Sequence, residues 1–126
     1  MTKTGRCHCG AVSYAYDGPE KWMAHCHCAS CRATTSSAFT SFFCVPDGHW
    51  QWTGTALKTY TSSPDVWRDF CGTCGAPIAY RAARYPDEIH FYAASLDDSG
   101  HFKPTAHVYT HEAVAWVTLG DGLKRK

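Results

Sequence analysis

Apolar and polar positions alternate in short runs along this chain, and no long segment keeps a clean 3.6-residue apolar period. Residues 11–16 (Ala-Val-Ser-Tyr-Ala-Tyr) alternate, as do parts of 38–45 (Ala-Phe-Thr-Ser-Phe-Phe-Cys-Val), and both read as strands. Further β-rich pieces recur at 49–53, 57–61, 67–71, 77–81, 89–93, 106–110 and 114–119. Turn-forming clusters separate them: Asp17-Gly18-Pro19, Pro46-Asp47-Gly48, Thr53-Gly54, Ser63-Pro64-Asp65, Tyr85-Pro86-Asp87 and Ser99-Gly100. One short helix, of one or two turns, is predicted at 29–35. The pattern is that of a mostly β single domain over residues 1–126, without internal boundary or repeat. The Lys124-Arg125-Lys126 tail reads as a solvated end.

Composition narrows the partners. The 126 residues bury a real core without needing cross-links merely to fold. Twelve Lys and Arg against eleven Asp and Glu leave a formal charge of +1, and the basic residues are dispersed. Neither nucleic acid nor a membrane surface is expected as a partner recognised by bulk charge. No apolar run approaches the ~20 residues of a membrane span. The opening Met-Thr-Lys-Thr-Gly-Arg leads directly into Cys-His-Cys-Gly, which predicts a cytoplasmic chain with reduced thiols.

The cysteines change the picture most. Seven of the eight fall in three tight groups: Cys7-His8-Cys9, Cys26-His27-Cys28-Ala29-Ser30-Cys31 and Cys71-Gly72-Thr73-Cys74. C-x-C closes a badly strained disulfide ring, and close pairs suit a cation that gathers thiolates, so zinc is expected. Seven thiols divide naturally into four and three, one closed site and one open site. The C-x-x-C at 71–74, with Gly72 inside and Gly75 after it, reads as a zinc knuckle in need of two more ligands. Either Cys7 and Cys9 or two of the 26–31 group could supply them. In the first pairing Cys26, Cys28 and Cys31 remain as a tripod.

Around these groups the expectations are plainer. His8 and His27 sit between cysteines and should point away from any metal, with His27 free to touch a pocket. The other histidines read as surface or core residues, and Cys44, in Phe42-Phe43-Cys44-Val45, as an inert core thiol. Arg32, directly after the tripod, is open to three readings, meeting a thiol substrate's carboxylate, compensating thiolate charge or lying on the surface, and charge compensation is the one expected. Arg68 carries the corresponding expectation for the four-cysteine site. A three-thiolate zinc keeps net negative charge, so it suits holding an incoming thiol as thiolate better than generating hydroxide. The reaction expected there is attack of that sulfur on an aldehyde carbon. A non-catalytic zinc-binding protein-interaction module is the alternative, and a fourth protein ligand on the tripod would mark it.

Taken together, Gly5-x-Cys7-x-Cys9-Gly10-x-Val12-x-Tyr14, Cys26-His27-Cys28-x-x-Cys31-Arg32 and Arg68-x-Phe70-Cys71-x-x-Cys74-Gly75 resemble the glutathione-dependent formaldehyde-activating family. The late His107…Trp116 region fits its usual ending, so the resemblance spans roughly residues 5–116. It implies a β-tent of small antiparallel sheets stabilised by zinc. It implies a structural zinc on Cys7, Cys9, Cys71 and Cys74 and a second, catalytic zinc on Cys26, Cys28 and Cys31. It implies a carbon–sulfur lyase of the S-(hydroxymethyl)glutathione synthase type, with glutathione as co-substrate and formaldehyde or a related aldehyde as its partner. After the tripod the family usually carries a glycine, where this chain reads Thr34-Thr35-Ser36-Ser37.

Overall fold

The computed structural model describes residues 2–126. Alternation produces strands where it was read: β2 (Ser13–Tyr16), β4 (Thr40–Pro46), β5 (Trp50–Trp52), β6 (Leu57–Ser63), β7 (Val66–Cys71), β8 (Pro77–Ala82), β9 (Glu88–Tyr92) and β10 (Ala106–Val108). Two further strands, β1 (Lys3–Arg6) and β3 (Met23–Cys26), carry too few apolar positions to stand out in sequence. The predicted helix is α1 (Ala29–Thr35). The turns behave as their residues demand: Gly48, Asp65 and Asp87, each in a predicted turn, take left-handed backbone.

Two expectations at the C-terminus change. Residues 114–119 form no strand. The basic tail is not merely a solvated end, because β11 (Lys124–Arg125) pairs with β10 while its side chains stay exposed. The edge of β10 left open by β3 is taken by the tail and not by 114–119.

The strands form a three-stranded sheet, β1-β2-β5, and an eight-stranded sheet in the order β11-β10-β3-β4-β9-β8-β7-β6. Pairing is antiparallel except at β10, which runs parallel to both β3 and β11. The fold is mostly β, in one domain. Its larger sheet is buried on both faces at its centre, which is why Phe42-Phe43-Cys44-Val45 reads as a continuous apolar run. Phe43, Val45, Ile89 and Phe91 face the small sheet and pack on Tyr14 and Tyr16, with Tyr14 stacked 4.0 Å from Phe91. Phe42, Tyr80 and Tyr92 face the other way and form a second cluster with Cys26 and Cys31. The two-residue period of β4, β8 and β9 thus separates a core from a site.

Candidate metal centres and active-site pocket

Cys7, Cys9, Cys71 and Cys74 bring their sulfurs within 4.8 Å of one another. Cys7 and Cys71 belong to the main core, so the cluster joins the N-terminal limb to the turn after β7. Sulfur separations of 3.7 Å, Cys7 to Cys9 and Cys9 to Cys71, are far longer than a disulfide's roughly 2.05 Å. Four sulfurs at about 2.3 Å from one cation would lie about 3.8 Å apart, so the group has the size of a tetrahedral thiolate site. Backbone amides already face it: Val12 N–H donates to Cys7 Sγ at 3.2 Å, and Thr73 N–H to Cys71 Sγ at 3.3 Å. The chain turns out of the knuckle through Gly75 at φ 80°, a conformation that favours glycine. The Ala76 amide, foremost, lowers the Cys74 thiol to about 6, which favours thiolate. Of the two partners the spacing left open, the fold brings Cys7 and Cys9 beside the 71–74 knuckle.

Cys26, Cys28 and Cys31 form a second group. Cys26 ends β3, Cys28 caps α1 by accepting the Cys31 N–H at 3.2 Å, and Cys31 is buried in the helix's first turn. No fourth Cys, His, Asp or Glu among the described residues joins them. All eight cysteines are free thiols.

The cation beside this tripod is Arg68, not Arg32. Arg32 reaches only the His27 carbonyl, with its Nε 3.4 Å away. Arg68 is buried and places Nη1 3.7 Å from Cys31 Sγ. It also donates to Tyr92 Oη at 3.2 Å, Ser30 Oγ at 2.8 Å and Ser62 Oγ at 3.2 Å, and lies over the Tyr80 ring at 4.7 Å. Hydrogen bonds from Cys26 and Cys28, and then Arg68, hold Cys31 well below the usual thiol range. The expectation that Arg68 serves the four-cysteine site fails on strand geometry. Arg68 and Cys71 are an odd number of residues apart on β7, so they face opposite sides of the sheet.

His27 does point away from the sulfurs on either side of it. Its Nε2 lies 2.8 Å from His107 Nδ1, and His107 Nε2 lies 2.8 Å from Asp121 Oδ2. Its backbone N–H donates to the Val108 carbonyl at 3.0 Å. The C-terminal segment therefore grips the residue between two tripod cysteines. His25, His107 and Asp121 also gather their donor atoms within 4.8 Å, a grouping that sequence spacing hid because β10 pairs with β3 only in the fold. Cys44 is fully buried, and burial raises its thiol, as expected of an inert core residue. Its neighbours Glu88 and His90 are joined at 2.6 Å.

A cavity of 510 Å³ opens directly on the tripod, lined by Cys26, Cys28 and Cys31 together with Arg68, Tyr80 and His90. A second cavity of 690 Å³ reaches Cys7 and the end of α1 but none of the tripod sulfurs. A family model described as glutathione-dependent formaldehyde-activating enzyme matches residues 2–112. The chain belongs to that family. A Halomonas elongata protein whose name carries the same family description is 24% identical over 94% of this chain and 82% of its own length. A solved Rhodobacter sphaeroides protein superposes with a TM-score of 0.64 at 22% identity, over 75% of this chain and 87% of that one, and so shares the fold. The family model covers every cysteine of both groups and His107, and stops short of Asp121 and β11. No helix among the described residues is long and apolar enough to cross a membrane.

Proposed function

We propose that this protein is a zinc-dependent carbon–sulfur lyase that joins a thiol such as glutathione to formaldehyde or a related aldehyde. The family supports glutathione and formaldehyde as the substrate classes. The carrying observation is the three-sulfur group with no fourth donor among the described residues, facing a 510 Å³ cavity. A protein-interaction module would close that shell with its own side chain, and none of the described residues stands there. The four-cysteine group would hold a structural zinc, in keeping with its sulfur spacing and its amide donors. The tripod would hold the second.

When bound there, zinc supplies a site that keeps a thiol ionised at neutral pH, where a free thiol of pKa ~8.5 is only a few per cent thiolate. The chain's own residues do the rest. Arg68 offsets the negative charge of the cysteines and fixes Cys31 through Ser30 and Tyr92. Trp22, Phe42, Tyr80, Tyr85 and Tyr109 give the cavity an aromatic wall beside the sulfurs. Addition forms one carbon–sulfur bond, the carbonyl π pair becomes an alkoxide, and the phenols and hydroxyl of the wall, Tyr80, Tyr85, Tyr109 and Ser30, are the groups placed to return the thiol's proton to it. No electron transfer is required. The test is Cys28→Ala with elemental analysis and thiol-dependent adduct formation. One zinc of two should be lost and the rate should fall to the uncatalysed value. Retention of both metals and of activity would refute the reading.

A further inference from the structure

The tripod cavity is built for something larger and flatter than formaldehyde. Its volume of 510 Å³ falls among pockets for drug-sized ligands, about 300–1,000 Å³. Trp22, Phe42, Tyr80, Tyr85 and Tyr109 line it. Tyr80, Tyr85 and His90 form one tilted aromatic surface, their centroids 5.3–6.4 Å apart. Binding free energy is bounded per ligand atom, so an aldehyde of one carbon and one oxygen can draw little from so extended an aromatic surface. Glutathione does not explain the wall either. It is a polar peptide, and its carboxylates match Arg84 and Lys126, the cavity's cations not engaged with the tripod, while no Asp or Glu among the described residues lines the cavity to meet its ammonium.

Two features independent of the cavity's shape point the same way. Trp22 is 37% exposed, and it meets the cavity edge-on to His90 at 4.6 Å, leaving apolar surface uncovered at the rim. Tyr109 stands in left-handed backbone at φ 56°, a conformation unfavourable for a bulky residue, and its hydroxyl is held by Arg84 Nη2 at 3.3 Å. That conformation keeps an aromatic ring at the cavity wall where a relaxed backbone would carry it elsewhere.

We infer that the electrophile at this site is an aromatic aldehyde, its carbonyl at the tripod and its ring against the aromatic lining that Tyr80, Tyr85 and Trp22 present. The inference rests on the carbon–sulfur lyase reading and specifies its substrate. The product is a hemithioacetal: the thiol sulfur bonds to the carbonyl carbon, the carbonyl oxygen takes the thiol's proton, and nothing is oxidised or reduced. The experiment uses the zinc-loaded protein and glutathione, with formaldehyde and 4-nitrobenzaldehyde compared by saturation-transfer NMR, which reads exchange between the adduct and the unbound aldehyde, for formaldehyde in the form of its hydrate. The expected result is a kcat/KM at least tenfold higher for the aromatic aldehyde. Tyr85→Ala and Trp22→Ala should each cut that ratio about tenfold. A ratio favouring formaldehyde in the unaltered protein overturns the inference and leaves the lyase reading standing. Exchange no faster than the uncatalysed rate with both aldehydes overturns both. A ratio that neither substitution moves removes the aromatic wall from the recognition and overturns the inference as well.

Discussion

At Arg68 a buried guanidinium meets no carboxylate among the described residues. A buried cation needs an opposite charge, and the only one within reach is thiolate. Replacing Arg68 by Met should therefore weaken zinc at the tripod by about 10–100-fold and spare the four-cysteine site. Chelator titration with elemental analysis separates the two. Arg68→Lys should restore little, because one ammonium cannot reach Ser30, Ser62, Tyr92 and Cys31 at once. Gly5 makes a different point about single residues. It pairs with Tyr14 across β1 and β2, and an added Cβ would overlap the Tyr14 ring, which is itself fully buried against Phe91. Gly5→Ala should cost roughly 1–3 kcal/mol in urea denaturation. At Glu88, burial pushes the carboxyl up, but Lys21 at 2.7 Å and His90 at 2.6 Å outweigh it and hold it at about 2. A carboxyl depressed in the folded state stabilises fully above its ordinary value of 4.5, and that contribution fades as pH falls toward 2. Glu88→Gln should remove the fading. Acid titration of metal-free protein at both residues reads it, and an unchanged acid limb would contradict the pairing.

Helix α1 shows how an element is held where its residues alone would not hold it. Seven residues are too few for an independent helix. The Cys28 side chain caps its start, and Thr35 donates to the Cys31 carbonyl at 2.7 Å near its end. The cap after it, Ser36, has φ 53° and ψ 38°, the left-handed conformation in which helices commonly place glycine. The present chain bears that strain with serine. Ser36→Gly should stabilise the fold by about 1 kcal/mol, read as a higher Tm at unchanged metal content. Strand β10 illustrates the opposite case. Only three residues long, it carries His107 to His27 and gives β3 a parallel neighbour, and nothing in the Ala106–Val108 pattern signals that role.

Across the whole molecule the two sulfur groups have different duties. The four-cysteine group ties chain segments 62 residues apart and stands at the junction of the two sheets, so its zinc would supply folding free energy. Under denaturant Cys74→Ser should therefore unfold at a clearly lower midpoint, whereas Cys28→Ala should unfold close to the unaltered protein, as followed by tryptophan fluorescence. The sequence by itself determined a mostly β chain, its single helix, most strand positions, and the division of seven thiols into four and three, because periodicity and close ligand spacing are local properties of a chain. Tertiary structure alone decided which pairs share a site, which face of β7 turns Arg68 to the tripod, where the tail binds, and how His107 and Asp121 reach His27. Those depend on strand order and register, and register is a relation between segments far apart in the chain that no local pattern encodes.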